Sequence, residues 1–155
     1  VTGTPGTGKT TVAKKIAKLM KADYVDVNTV IKSNKLSEGY DRKRRCKIID
    51  VKKLNKCLGK IIEKSNRFTV IDSHLSHYLP KELVLKCIVT KCNLKLLSMR
   101  LKRRGYPTAK VKENLECEIF DICLNEAQEA GHDTIIVDTS KKADYEPLIK
   151  KIMKK

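Results

Sequence analysis

The apolar positions of this chain come in short bursts, and no apolar run is longer than three residues (83–85, 87–89 and 135–137 among them). Between the bursts, apolar residues recur at helical spacing. Val12, Ile16, Leu19 and Met20 lie on one stripe and predict a helix over about 8–20. Val51, Leu54, Leu58, Ile61 and Ile62 predict a second over about 50–64. Leu94, Leu97 and Leu101 predict a third, with Asn93 placed to cap it. A long helix from about 108 to 130, ended by Gly131, and a lysine-rich one near 143–154 complete the set. The bursts themselves read as strands: "DYVDV" at 23–27, "FTVID" at 68–72, "LKCIVT" at 85–90 and "DTIIVD" at 133–138.

Strands alternating with helices mean βαβ units and a parallel sheet covered on both faces. The expected fold class is therefore α/β, a three-layer αβα arrangement around a central parallel sheet of about five strands. The 155 residues suffice for a single domain with its own core, and they contain no repeats or low-complexity segments. Only Val1 and Thr2 precede a glycine-rich stretch. A parallel strand needs about five residues, so the sequence is expected to lack the start of its central strand.

That stretch, "GTPGTGKT" at 3–10, fits G-x-x-x-x-G-K-[ST] in full. Glycines let successive backbone N–H groups converge on phosphate oxygens, and the positive end of the following helix adds to the attraction. Gly6 and Gly8 shape the loop, Lys9 can reach the β- and γ-phosphates, and the Thr10 hydroxyl can ligate magnesium. Thr11 is placed near the α-phosphate. The chain thus predicts a P-loop NTPase that uses ATP and Mg²⁺. Asp72, at the end of an apolar run, is the expected carboxylate for a magnesium-bound water. His74 follows two residues later, so on an extended chain its side chain points the same way as that of Asp72. A histidine there can orient or accept a proton from water; the alternatives are a structural histidine or one that shapes the acceptor pocket. His77 has the wrong parity and no evident partner.

The acceptor side rests on "RLKRRGYPTAK". Arg100 and Arg104 are four residues apart, hence on one helical face, where two guanidinium forks can neutralise a transferring phosphoryl group. Gly105 and Pro107 then break the helix, as a hinged lid requires. Together "TGTPGTGKTT", "GYD", "IID", "IDSH", "RLKRRGY" and "ENLECEIF" resemble the small adenylate kinase/ATPase family of adenylate kinase isoenzyme 6, the coilin-interacting nuclear ATPase and their archaeal counterparts. The resemblance spans nearly the whole chain. It implies one P-loop nucleoside monophosphate kinase domain over 1–155, with an acceptor (NMP) segment near 26–49 and a lid near 103–113. It implies that Gly6, Gly8, Lys9, Thr10, Thr11, Arg104 and Lys141 hold ATP, and that Asp72 and His74 form the family's Asp-x-His. It also implies transfer from ATP to AMP with accompanying ATPase activity, and a role in small-ribosomal-subunit maturation with a ribosomal protein and rRNA as partners. The alternative is an ATPase assembly factor that switches its grip on a ribosomal protein or pre-rRNA. Other small P-loop kinases, such as shikimate, cytidylate and dephospho-coenzyme A kinases, share the fold but lack Asp-x-His with "RGY". One stretch departs from the family: "RKRRCK" after "GYD" is basic where relatives tend to be acidic. Arg42, Arg44 and Arg45 either grip the acceptor phosphate or are solvated.

Composition narrows the setting. Thirty-four Lys and Arg against 18 Asp and Glu give a formal charge of +16, a field that attracts nucleotides and RNA. The absence of a long apolar run excludes a membrane span and a secretory leader, so a cytoplasmic monomer is expected. None of the six cysteines forms a Cys-x-x-Cys pair, and reduced thiols acting as small hydrophobes are expected.

Overall fold

The computed structural model describes residues 1–42 and 46–154. Strand β1 (Asp23–Asp26) pairs in parallel with β4 (Thr69–Asp72), Asp23 opposite Thr69 and Asp26 opposite Asp72. Strand β5 (Cys87–Lys91) pairs in parallel with β6 (Thr134–Asp138). Val1 and Thr2 stitch the two pairs together. The Val1 nitrogen donates to the Ile71 carbonyl at 2.7 Å, and the Val1 carbonyl accepts from Ser73 N–H at 3.2 Å. On the other side Thr2 N–H donates to Ile88 O at 2.8 Å and Thr2 O accepts from Thr90 N–H at 2.9 Å. The order is β1, β4, Val1 with Thr2, β5, β6, a parallel array. All its carboxyl ends point to one edge, where ligands bind in open α/β sheets.

Helices cover both faces. On one, α1 (Lys9–Met20) and α7 (Tyr145–Met153) bury Val12, Ile16, Leu148 and Ile152 against Ile88 and Val137. On the other, α3 (Val51–Lys64) buries Leu54 and Leu58 against Ile71, and Ala127 of α6 (Ile122–Glu129) packs on Cys87 and Val89. The alternation of Ile88 with Cys87 and Val89 across β5 is the period-2 pattern of a strand covered on both faces. Helix α4 (Leu94–Arg103) adds Leu97 and Leu101, fully buried beside Val111 of α5 (Thr108–Ile119). No described helix is long and apolar enough to cross a membrane.

The structure adds elements in one stretch the sequence reading left unassigned and corrects that reading in another. The segment near 26–49 holds a short helix, α2 (Val27–Ser33), capped by Asp26 accepting from Asn28 N–H at 2.9 Å. An antiparallel hairpin follows, β2 (Ser37–Asp41) with β3 (Cys46–Ile49). Arg42 lies at the hairpin's turn, while Arg44 and Arg45 lie outside the described residues. The expected helix over 108–130 is two helices. Asp121 takes a left-handed conformation (φ 53) at the break, and Lys91 donates to the Glu118 carbonyl left over at the end of α5, at 3.0 Å, and pairs with the Asp121 carboxylate. Between α4 and α5 only residues 104–107 are non-helical.

Leu54 is fully buried and Leu19 is 47% exposed, although both belong to the helical stripes read from sequence. Leu54→Ala should lower the unfolding free energy by about 2–5 kcal/mol, and Leu19→Ala by about 0.5 kcal/mol or less. Urea denaturation of the two variants checks the layer assignment, and equal losses would contradict it.

Candidate functional site

The phosphate loop sits at the carboxyl edge of the sheet and leads directly into α1. Its backbone turns through Gly3, Gly6 and Gly8, all at positive φ. At Gly6 (φ 93) a Cβ would lie 2.9 Å from Leu97 Cδ1 and 3.0 Å from Leu101 Cδ2, so the fully buried leucines of α4 press on the loop and admit only glycine. Internal bonds hold the rest of the turn. The Thr7 hydroxyl donates to Thr4 O at 2.7 Å, and the Thr139 hydroxyl donates to Thr7 O at 2.6 Å. Lys9 folds its ammonium back onto the carbonyls of Gly3 (2.8 Å) and Thr4 (3.0 Å). Burial lowers the Lys9 pKa from 10.5 to about 8, against the pull of the Asp72 carboxylate and with a push from Arg104.

Beside the loop opens a cleft of about 410 Å³. Gly6, Gly8, Thr11, Arg100, Arg104 and Lys141 all line it, so six residues singled out from the sequence meet at one place. Arg100 is partly committed: its guanidinium donates to Thr139 O at 3.1 Å, Thr139 Oγ1 at 3.3 Å and Gly6 O at 3.4 Å. It therefore braces the loop against the turn after β6 while leaving its charge beside the cleft. Arg104 is exposed at the end of α4.

Asp72 ends β4, is 5% exposed, and its Oδ2 accepts from the Tyr24 hydroxyl at 2.8 Å. Tyr24, on β1 opposite Val70, was not read from the sequence as a site residue; its place two residues before the end of the strand that pairs with β4 is the only signal. Burial, then the bond to Asp72, raises its pKa well beyond the ordinary tyrosine range. The Thr10 hydroxyl and the Asp72 carboxylate are hard oxygen donors, and both touch or neighbour Tyr24. That donor set fits Mg²⁺, which keeps most of its waters and takes one or two protein oxygens alongside phosphate.

His74 does not follow Asp72 along an extended chain. The strand stops at Asp72, and Ser73 Oγ accepts from Leu75 N–H at 3.0 Å to turn the backbone into a 3-10 turn at Ser76–Tyr78. The imidazole keeps solvent contact, yet lost hydration, then the charges of Lys9 and Lys110, lower its pKa from 6.5 to about 4. It is a neutral acceptor at pH 7, within electrostatic reach of Lys9. His77, by contrast, is 2% exposed and has two partners. Its Nε2 bonds the Glu126 carboxylate at 2.9 Å, which makes Nδ1 the acceptor of the Thr2 hydroxyl at 2.7 Å. It ties α6 to the root of the loop. No group of three or more potential metal-ligating side chains occurs among the described residues.

Tyr24→Phe frees one oxygen of Asp72 and should raise the Mg²⁺ concentration for half-maximal ATP turnover several-fold, with turnover down about tenfold, near 1.4 kcal/mol. A magnesium titration of both proteins checks it, and superimposable curves would remove Tyr24 from the site.

A family model described as an AAA domain matches residues 1–121. A provisionally named adenylate kinase of Methanocaldococcus jannaschii is 34% identical over 99% of this chain and 82% of its own length. Adenylate kinase isoenzyme 6 homologues of Dictyostelium discoideum and Schizosaccharomyces pombe are 33% and 35% identical, each over 89% of this chain and 78% of their own. A shikimate kinase from Bacteroides thetaiotaomicron superposes with a TM-score of 0.50 over 97% of this chain and 90% of its own, at 14% identity, which speaks to the fold alone. The chain belongs to the adenylate kinase isoenzyme 6 family of P-loop proteins.

Proposed function

We propose that this protein is a Mg²⁺-dependent adenylate kinase that moves the γ-phosphoryl group of ATP to AMP and hydrolyses ATP more slowly. The observation that carries the reading is the convergence of Arg100, Arg104 and Lys141 on one cleft beside the phosphate loop and its Lys9. Phosphoryl transfer asks little covalent chemistry of the protein; it asks for positioning and for charge opposite the three γ-oxygens. Lys9 leaves the Gly3 and Thr4 carbonyls for the β- and γ-phosphates, Arg104 closes from the end of α4, and Lys141 flanks the nucleotide. Asp72, held by Tyr24, and Thr10 would hold Mg²⁺, which would supply charge neutralisation to the polyphosphate. The AMP phosphate is already ionised at pH 7 and needs no general base. The acceptor segment is α2 with the β2–β3 hairpin, and the lid is the stretch near 103–113, the turn at 104–107 with the first half of α5.

Water is a poorer nucleophile than the AMP phosphate, and the neutral His74 imidazole can accept its hydrogen bond. That residue supports the ATPase activity. The family resemblance and the +16 charge support a further link to small-subunit rRNA maturation; hydrolysis stimulated by rRNA, and lost as salt rises, is the expected signature.

Three outcomes test the reading. ADP and free phosphate measured from Mg·ATP should show AMP-dependent ADP formation that outruns phosphate release, and phosphate release indifferent to AMP would overturn it. His74→Ala should depress hydrolysis several-fold more than AMP phosphorylation; equal losses would refute its role. Lys9, held near pKa 8 in the free protein, is pushed upward by bound polyphosphate. Binding of Mg·ATP above about pH 8 should therefore take up a proton, and below pH 7, where Lys9 is already charged, it should not. Calorimetry in buffers of different ionisation enthalpy reads this, and Lys9→Met should abolish it.

A further inference from the structure

Glu118 occupies an unfavourable position. It lies in the last turn of α5, where a carboxylate opposes the partial negative charge of the helix end, and it is 5% exposed. A buried carboxylate so placed is costly unless its oxygens are engaged and its charge is balanced. Both oxygens are engaged. The Thr4 hydroxyl donates to Oε2 at 2.6 Å, and the Cys92 backbone N–H donates to Oε1 at 2.8 Å. The Lys91 ammonium stands 3.8 Å from Oε1 and pairs also with Asp121.

The partner that matters is Thr4, the second residue of the phosphate loop and itself 2% exposed. The Thr4 carbonyl accepts from Lys9 Nζ at 3.0 Å and from the Thr7 hydroxyl at 2.7 Å. One path of hydrogen bonds therefore runs from α5 through Thr4 to the lysine that meets the phosphates. Nothing in phosphate binding itself calls for a negative charge behind the loop. Helix α5 begins only a few residues after Arg104, so the same helix that follows the lid turn also grips the back of the loop.

We propose that Glu118 is a positioning residue for the phosphate loop, fixing Thr4 and with it the loop backbone that Thr7 closes on the Thr4 carbonyl, so that α5 is coupled to ATP binding. This rests on the ATP reading above. A carboxylate suits the role because Thr4 and Cys92 both present donors, and an amide can accept through its oxygen alone.

The test is calorimetric binding of Mg·ATP and, separately, of AMP to the full chain. Glu118→Gln should weaken Mg·ATP about tenfold and leave AMP within about twofold. Thr4→Val, which breaks the same path, should do likewise, and the double variant should be no weaker than either single one, since both remove one interaction. Thr4→Ser keeps the hydroxyl and should restore wild-type affinity. Asp121→Asn removes the neighbouring ion pair without touching Thr4 and should leave Mg·ATP affinity unchanged. A Glu118→Gln protein that unfolds more easily but binds Mg·ATP like wild type would overturn the proposal, as would additive losses in the double variant. A wild-type chain that binds no Mg·ATP would overturn the ATP reading along with it.

Discussion

At Gly3 the chain has no room for a side chain: a Cβ there would lie 2.5 Å from the Thr90 carbonyl oxygen. This close approach of the loop's first glycine to β5 is the constraint on which the rest of the site depends. It presses the phosphate loop onto the carboxyl edge of the sheet, beside the Thr2–Thr90 hydrogen bond that joins the two halves of the array. From there Thr7 and Thr139 close the turn, the leucines of α4 lean on Gly6, and α1 starts with its N–H groups aimed outward. The loop is a rigid cradle because neighbouring elements fix it from several sides.

Its electrostatics follow from the same closeness. Lys9 is tucked among carbonyls, Arg100 braces two turns, and Arg104 and Lys141 face the cleft. Acidic groups are few and each has a partner: Asp72 accepts from Tyr24, and Glu118 from Thr4 and Cys92. A cationic hollow with its carboxylates held at the back and side favours a polyanion carrying a hard cation. Buried charge of this kind is costly for folding, and a nucleotide that neutralises it stabilises the fold on binding.

Much of this was legible in the residues themselves. The loop motif announces its chemistry because each position is dictated by phosphate geometry, and β4, β5 and β6 announce themselves as apolar bursts between helical stripes. The rest hides for physical reasons. Helix α2 is seven residues long, too short for a stripe, and its hairpin is polar and mostly exposed. The break between α5 and α6 carries no Gly or Pro; a left-handed Asp121, held by Lys91, makes it. The parity argument for His74 assumed an extended chain where Ser73 in fact turns it. The parity that set His77 aside could not reveal Glu126, 49 residues away. Tyr24 and Glu118 escaped for a like reason: their partners Asp72 and Thr4 are distant in sequence, and spacing along a chain says nothing about such pairs.

The central claim is that one cleft holds Mg·ATP and passes its terminal phosphoryl group to a nucleotide rather than to water. Following a label in the γ-phosphate of ATP through a single turnover with AMP tests it most directly. The account predicts that most of the label arrives in the β-phosphate of ADP made from AMP, with a minor fraction as free phosphate. Label appearing as free phosphate in the same amount whether or not AMP is present would contradict it.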